Sequence, residues 1–229
     1  MEEDLTILIP ALNEEKTIGI VIEKAEKWIE KNNVKAEILV VNNGSTDNTK
    51  NIAIQKGAKV IYVQERGYGI ALINGIKASK GKYIIMGDAD DSYNFLEIDN
   101  IYKSLVEEGY ELIIGNRFFN MEKGAMKLTH KYIGTPLLSY IIRKKYKLNI
   151  KDVNCGLRGF EKEKIINIDL KCKGMEFASE MIIKAKLNNL KIKEVPINFY
   201  KDKRGRNSHL NTIKDGIKHI EVILKCRNR

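Results

Sequence analysis

The protein has 229 residues, 43% of them hydrophobic, which is enough for a real core and predicts one compact domain with a C-terminal extension. Its three cysteines, Cys155, Cys172 and Cys226, are widely spaced, which argues against a disulfide framework or a zinc site and favours a reducing compartment. The net charge of +10 indicates either solubility or an anionic partner, and the basic runs lie beyond residue 140.

The sequence shows no targeting or membrane-spanning segment. Its start, "MEEDLTILIP", is acidic and then apolar, unlike the basic start of a signal peptide. The longest apolar candidate, "YIGTPLLSYII" at 132–142, falls short of the length needed to cross a bilayer, ~18–20 residues. We therefore expect a cytoplasmic protein that meets a membrane only at its surface.

The first 115 residues alternate strand and helix patterns. Strands are predicted for the apolar runs at 5–9, 37–41, 59–63, 82–86 and 110–115. Four helices are predicted. The first starts after Asn13 as its N-cap, the second ends at Gly57, the third ends at about Lys80 and the fourth covers 96–108. This alternation predicts an α/β fold with a parallel, doubly wound sheet.

The second half of the chain is less regular. The prediction there is a helix over 125–145, an extended piece at 155–160, a helix over about 175–188 and a strand at 191–200. Pro196 predicts that the last strand lies at an edge of the sheet. A basic amphipathic helix at about 209–225 ends the chain, so we divide it into an α/β domain, 1–205, and a C-terminal helix, 206–229.

Four polar segments follow the first four predicted strands. They are "PALNEE", "NNGSTD", "ERGYG" and "GDADDS". Ligands of open α/β sheets bind outside the carboxyl ends of the strands, so these segments are expected on one rim. The glycines of "RGYG" let a backbone approach a ligand, although a tight turn entering a helix explains them as well.

The aspartates of "IIMGDADDSY" predict a metal site. Asp88 and Asp90 are two residues apart, so on an extended backbone both carboxylates leave the same side and repel unless a cation joins them. Oxygen ligands suit Mg²⁺ or Mn²⁺, which bind through one or two carboxylates and substrate phosphates. The alternative is that they are solvated turn residues and caps; their place behind an apolar strand on the ligand rim favours the metal.

Five blocks of sequence resemble a known family. They are "ILIPALNEEKTI", "VVNNGSTDNT", "GYGIALINGIKASKGKYIIMGDADDSY", "GNRF" and "DVNCGLRGF". Together they resemble family-2 glycosyltransferases with the GT-A fold, in particular the dolichyl-phosphate or polyprenyl-phosphate hexose synthases. The resemblance covers nearly the whole chain. It implies a Rossmann-like, mostly parallel sheet flanked by helices, with C-terminal amphipathic helices.

The resemblance also implies an activity and residue roles. The activity is inverting, Mg²⁺- or Mn²⁺-dependent transfer of a hexose from a nucleotide diphosphate sugar, of the GDP-mannose or UDP-glucose type, to a dolichyl or polyprenyl phosphate. The residues assigned to the nucleotide sugar are Pro10, Ala11, Glu14, Asn43, Gly69 and Asp88, with Asp88 and Asp90 on the metal. Those assigned to catalysis are Asp90, Arg117, Asp152 and Glu180.

The acceptor phosphate would need cations to position it, rather than a strong base. A phosphate monoester has a second pKa of about 6 and is already mostly dianionic at neutral pH. The residues assigned to it are Arg117, Lys131 and Arg158, with Arg143 as a further candidate. Arginine is preferred because its guanidinium grips two phosphate oxygens. The alternative for Lys131 and Arg143 is a solvated basic helix face.

Two segments have the composition of interfacial helices. They are "KYIGTPLLSYIIRKKYK" and "HLNTIKDGIKHIEVILKCRNR", each with apolar residues beside basic ones. They predict peripheral binding to an anionic membrane surface, at the inner face of the cell membrane. The alternative is that their apolar faces pack on the domain. The three histidines show no ligand spacing and are expected to be structural or exposed.

Two other functions stay open at this stage. One keeps the same donor chemistry with a soluble or polysaccharide acceptor. The other is a non-enzymatic basic module that binds a nucleotide or RNA, which would need a positive stripe with interleaved aromatic residues. The predicted rim carries acidic residues instead, so no nucleic-acid partner is expected.

Overall fold

The structure, a computed structural model, describes residues 4–205 and 212–226. The strands are β1 (Leu5–Ala11), β2 (Ala36–Asn42), β3 (Lys59–Tyr62), β4 (Tyr83–Met86), β5 (Leu112–Met121), β6 (Arg158–Glu161) and β7 (Ile192–Phe199). The helices are α1 (Ile18–Asn32), α2 (Thr49–Gln55), α3 (Tyr68–Ala78), α4 (Asp99–Val106), α5 (Thr135–Tyr146), α6 (Lys162–Asn167), α7 (Phe177–Leu187) and α8 (Thr212–Lys225). A 3₁₀ turn, Phe95–Glu97, precedes α4, and a π-helical turn, His130–Gly134, precedes α5.

All seven strands form one mostly parallel sheet in the order β3-β2-β1-β4-β6-β5-β7. Strands β1 to β4 are parallel, and β5 is parallel to β7, whereas β6 runs antiparallel between β4 and β5. The predicted α/β class with a mostly parallel sheet is confirmed. The position of β7 at the edge confirms the prediction from Pro196.

The core lies on both faces of this sheet. Strand residues such as Ile7, Leu8 and Ile85 are fully buried, as expected for parallel strands covered on both sides. Helix α1 buries its apolar stripe, and its Trp28 ring meets Tyr102 of α4 edge-on, with ring centroids 5.2 Å apart. This packing gives the carboxyl ends of β1, β2 and β4 a rigid frame.

Two predicted helix starts were wrong. Helix α1 begins at Ile18 after Thr17 as its N-cap, while Asn13 adopts a left-handed φ of 57° and its Oδ1 accepts a hydrogen bond from the Thr46 amide, 2.8 Å away. Asn13 therefore joins the loops after β1 and β2 and caps no helix. Helix α5 begins near residue 135 instead of 125, because Pro136 has no amide hydrogen and suits only the first turn of an α-helix.

The C-terminal helix packs on the domain. His219 and Ile223 of α8 are buried, and the Tyr146 hydroxyl donates to the carbonyls of Ile223 and Cys226 at 2.7 and 2.8 Å. Residues 206–211 lie outside the described residues, so the division of the chain at 205 stays a prediction. No helix in the described part of the chain combines the length and hydrophobicity needed to cross a membrane.

Candidate active site

The loops after the parallel strands meet at one edge of the sheet. The Asn43 amide donates to the Ala11 carbonyl at 2.9 Å, which joins the loops after β2 and β1. The Tyr68 hydroxyl, at the start of α3, donates to Asp88 Oδ1 at 3.0 Å, which joins the loops after β3 and β4. The four predicted rim segments therefore surround one site.

Asp88 and Asp90 place two interacting carboxylates in a buried part of the site. Burial and the neighbouring charge of Asp90 raise the pKa of Asp88 to about 6. In Asp90, which is buried, Oδ1 accepts hydrogen bonds from the amide and hydroxyl of Ser92 at 3.0 and 2.6 Å. Two carboxylates that repel each other in a buried place are the donor set expected for Mg²⁺ or Mn²⁺.

The chain supplies only part of a metal's coordination shell. Among the described residues, no third His, Cys, Asp or Glu joins the two aspartates in a group that could hold a metal ion. The residues present fit an ion that takes its remaining ligands from a diphosphate and water, as Mg²⁺ commonly does. Asp88 and Asp90 would hold it.

Arg204 lies against the second aspartate, which the sequence did not reveal. Its guanidinium forms ion pairs with Asp90 and, at 3.5 Å, with Glu14 Oε1. The backbone amide of Lys203 donates to the Asp90 carbonyl at 3.0 Å, which fixes this segment beside the site. The positive charge of Arg204 thus offsets part of the repulsion between the two carboxylates. The sequence signal was the basic run at 201–206, whose role could not be assigned.

Asp91 holds the same segment rather than capping a turn. Its carboxylate is fully buried and pairs with Lys203 and Lys24 at 2.7 and 2.6 Å. The Tyr200 amide also donates to the Ser92 carbonyl at 3.0 Å. Hydrogen bonds and ion pairs therefore hold residues 200–204 against the loop after β4 that carries the three aspartates.

Arg117 and Asp152, both assigned to catalysis, form one unit. Asp152 is fully buried and accepts from the Arg117 amide at 3.0 Å and from Nε and Nη2 at 2.7 Å each. Burial lowers the pKa of Arg117, but the charge and hydrogen bonds of Asp152, with Tyr93 and Cys155, together outweigh this and hold the pKa well above its usual value. Arg117 is thus a permanent cation, and Asp152 orients it; direct catalysis by Asp152 stays a prediction.

Arg158 is held mainly by the chain itself. Its guanidinium is fully buried and donates to the carbonyls of Val153, Cys155 and Ala178 at 2.9 Å each. These bonds brace the loop before β6 against α7, and Arg158 also lines the cavity described below, so its contact with an acceptor phosphate stays a prediction.

Glu180 and Gly69 also contact other parts of the chain, and their assigned roles stay predictions. Glu180 Oε2 accepts from the amides of Lys171 and Cys172 at 2.9 and 2.7 Å, and its other oxygen pairs with Lys184 at 2.8 Å. The segment held in this way presses on α3, where a Cβ added to Gly69 would lie 2.1 Å from the Cys172 carbonyl oxygen. Gly69 is glycine because two backbones meet there.

Asn43 is engaged by the chain as well. Its Nδ2 donates to the carbonyls of Val63 and Glu65 at 3.0 and 2.7 Å, and its Oδ1 accepts from the Gly67 amide at 2.8 Å. Asn43 shapes the loop between β3 and α3, and its contact with a nucleotide base stays a prediction. The same holds for Pro10 and Ala11 at the end of β1.

Lys131 lies on the π-helical turn at the border of the site. It is half-buried, and its Nζ lies 5.5 Å from the centre of the neighbouring Tyr132 ring. Its neighbours His130 and Gly134 line the cavity described next, whereas Lys131 itself does not. Its assignment to the acceptor phosphate stays a prediction.

A cavity of about 160 Å³ lies next to Asp88 and Arg117. The residues in its wall that sequence reasoning missed are Tyr68, Tyr93, Asn154, Asp215 and His219. His219 Nδ1 lies 2.7 Å from the Ser179 hydroxyl, and burial lowers the pKa of His219 to about 4. No spacing in the sequence connects α8 with this cavity, because only packing brings it there.

The site combines paired carboxylates behind a parallel strand with a fixed arginine at a cavity. This arrangement suits group transfer from a nucleoside diphosphate and is that of an α/β transferase that uses a nucleotide-linked donor. The sequence model of the family described as "Glycosyl transferase family 2" matches residues 6–168. The chain therefore belongs to that family, and the resemblance stated from the sequence is confirmed.

Individual relatives agree with this assignment. The chain is 34% identical over 221 residues to the low-salt glycan biosynthesis hexosyltransferase Agl6 of Haloferax volcanii, covering 96% of this chain but only 53% of that protein. It thus spans about half the length of that relative. It is 30% identical to the UDP-N-acetylglucosamine–dolichyl-phosphate N-acetylglucosaminyltransferase of Methanococcus voltae, covering 83% of each chain.

A solved structure confirms the fold. Glucosyl-3-phosphoglycerate synthase of Mycobacterium tuberculosis, crystallised with Mn²⁺ and UDP-glucose, superposes with a TM-score of 0.76 at 22% identity, covering 97% of this chain and 78% of that one. The GT-A fold expected from the resemblance is thereby confirmed.

Proposed function

We propose that the protein is an inverting, divalent-metal-dependent hexosyltransferase that moves a hexose from a nucleotide diphosphate sugar to a dolichyl- or polyprenyl-type phosphate. One observation carries this: Asp88, which feels the charge of the neighbouring Asp90, lines the same cavity as Arg117, so that a cation site for a diphosphate would lie near a fixed cation for a second phosphate. The dolichyl-phosphate acceptor named for the Methanococcus voltae relative supports the lipid.

The chemistry follows from where charge develops. When the bond between sugar and diphosphate breaks, negative charge grows on the leaving oxygens, and a bound Mg²⁺ or Mn²⁺ stabilises that charge. Asp88 and Asp90 would hold the ion. Arg117, oriented by Asp152, positions the acceptor phosphate, whose oxygen attacks the sugar from the face opposite the leaving group.

A membrane supplies the acceptor in this proposal. Large apolar side chains about half or more exposed lie on and just before α5, at Leu128, Tyr132, Ile133, Leu137 and Tyr140, and α8 adds Ile217 and Leu224. Exposed apolar residues among lysines and arginines fit the surface of an anionic bilayer. Because His130 and Leu138 of the same region line the cavity, a lipid phosphate has a short route into it.

Transfer into lipid tests the activity. The protein is incubated with Mn²⁺, dolichyl phosphate in detergent and radiolabelled UDP-glucose, UDP-N-acetylglucosamine or GDP-mannose, and the organic phase is counted. We expect label in that phase with one donor. In a parallel incubation with a water-soluble phosphorylated acceptor in place of dolichyl phosphate, transfer to that acceptor alone would indicate a soluble substrate. No transfer with any donor to either acceptor would overturn the proposal.

Vesicle sedimentation tests the membrane contact separately. Ile133→Glu is expected to weaken binding to phosphatidylglycerol vesicles severalfold without changing the melting temperature. Ile54→Glu, at a similarly exposed isoleucine on α2, is the matched control and should bind like the wild type. Equal binding of all three proteins would remove this surface from the proposal.

A further inference from the structure

Asn154 lines the cavity and carries a buried polar atom without a hydrogen-bond partner in the described part of the chain. It lies in the loop before β6, two residues after Asp152, and lines the cavity. Its Nδ2 donates to Thr135 Oγ1 at 3.4 Å, while its buried Oδ1 accepts no hydrogen bond from any described residue. A buried amide oxygen without a donor costs free energy, so this position suits a ligand that donates a hydrogen bond.

The ligand chemistry does not depend on which way the amide is turned. With the amide reversed, Oδ1 would accept from the Thr135 hydroxyl and the NH₂ group would be the one without a partner. One polar atom is left over in either orientation. A hydroxyl group satisfies both cases because it donates and accepts, whereas a phosphate dianion could meet only the second.

The C-terminal helix extends this part of the wall. Asp215, Gly216 and His219 of α8 line the same cavity. The Asp215 carboxylate can accept hydrogen bonds from hydroxyl groups and repels phosphate. A Cβ added to Gly216 would meet no atom within 4 Å, so the helix leaves room for a ligand there. This wall therefore differs in charge from the side that carries Arg117.

We propose that Asn154, with Asp215 of α8, binds hydroxyl groups of the transferred hexose, so that the C-terminal helix takes part in selecting the sugar. The inference rests on the proposed function, since it needs a nucleotide-sugar donor. In this arrangement, Asn154 and Asp215 contact the sugar of the donor and not its nucleotide.

Calorimetric titration separates sugar recognition from nucleotide recognition. With Mn²⁺ present, wild type and Asn154→Ala are titrated with UDP, UDP-glucose, UDP-N-acetylglucosamine, GDP and GDP-mannose. For the donor that the wild type binds, we expect Asn154→Ala to weaken the nucleotide sugar about tenfold, or about 1.4 kcal/mol, and the free nucleotide by less than about twofold. Asn74→Ala, on α3 and outside the cavity wall, is the control.

A second variant keeps Asn154 and Asp215 and only reduces the volume of the cavity beside α8. Gly216→Val is expected to weaken the nucleotide sugar and to leave the free nucleotide unchanged. The proposal is overturned if Asn154→Ala leaves the ratio of the affinity for the nucleotide sugar to the affinity for the free nucleotide unchanged. This includes the case in which only the KM for the acceptor rises. Equal loss of both affinities with a lower melting temperature also overturns it. A wild type that binds no nucleotide instead refutes the proposed function, and the inference with it.

Discussion

Arg117 and Asp152 are joined by two parallel hydrogen bonds of 2.7 Å, a fork-to-fork pair in which the carboxylate is fully buried. The pair is anchored in turn by Glu194 of the edge strand, whose Oε1 accepts from the amides of Lys151 and Asp152 at 2.8 Å each. The cation at the cavity is therefore held by the frame of the sheet and not by a flexible side chain alone.

Arg117→Lys should separate acceptor binding from donor binding. Lysine keeps a charge beside Asp152, so the chain still folds, but it cannot make two parallel bonds and will sit differently in the cavity. We expect the KM for the acceptor phosphate to rise about tenfold and the donor affinity to change by less than about twofold. Steady-state kinetics with both substrates varied measures this. Equal loss for donor and acceptor would refute the role.

Asp90→Asn should abolish metal use without unfolding the loop. The asparagine oxygen can still accept from Ser92, so the turn survives, but one negative charge is lost. We expect Mn²⁺ to stop raising the melting temperature with UDP present, and transfer to fall at least about a hundredfold. Asp99→Asn, at an aspartate that accepts from Trp28 Nε1, is the control. Wild-type turnover in Asp90→Asn would contradict the metal site.

Arg204→Gln should strengthen Mn²⁺ binding in the absence of nucleotide. The guanidinium pairs with Asp90, so a metal ion must compete with a cation already in place. We expect the Kd for Mn²⁺, followed by electron paramagnetic resonance of the free ion, to fall severalfold. Lys203→Gln removes the same charge one residue away, from a side chain that pairs with Asp91, and serves as control. An unchanged or higher Kd in Arg204→Gln would be the contrary result.

Stability should decline in acid partly through His219. Burial, aided by the positive charge of Arg158, lowers its pKa from the usual 6.5 to about 4. The negative charges of Glu176 and Asp215 act in the opposite direction and raise it. Below pH 6.5 the unfolded chain then binds a proton that the folded chain refuses, so stability falls as the pH drops from 6.5 to 4. The loss is on the order of 3 kcal/mol.

Urea unfolding of wild type and His219→Gln at several pH values measures this loss. Glutamine can keep a hydrogen bond to Ser179 but takes up no proton, so the variant should lose less stability between neutral and acidic pH. Identical pH profiles for the two proteins would show that His219 does not contribute.

The sequence by itself determined the alternating strands and helices, the shared rim and the aspartate pair. These depend on local patterns: short apolar runs form the strands, and parallel strands bring their following loops to one edge. The blocks around Pro10, Asp88 and Arg117 also lie within this regular part or directly after its last strand, which is why their order along the chain was informative.

Only the tertiary structure decided the rest of the site. Arg204 reaches Asp90 across 114 residues of sequence, and His219 reaches Ser179 across 40. Strand β6 enters the sheet antiparallel between β4 and β5, which places Arg158 and Asn154 in the cavity wall, where Arg158 also braces the loop before β6. No local period encodes such contacts, because they arise when separate elements bury their apolar faces against one another and carry their polar residues with them.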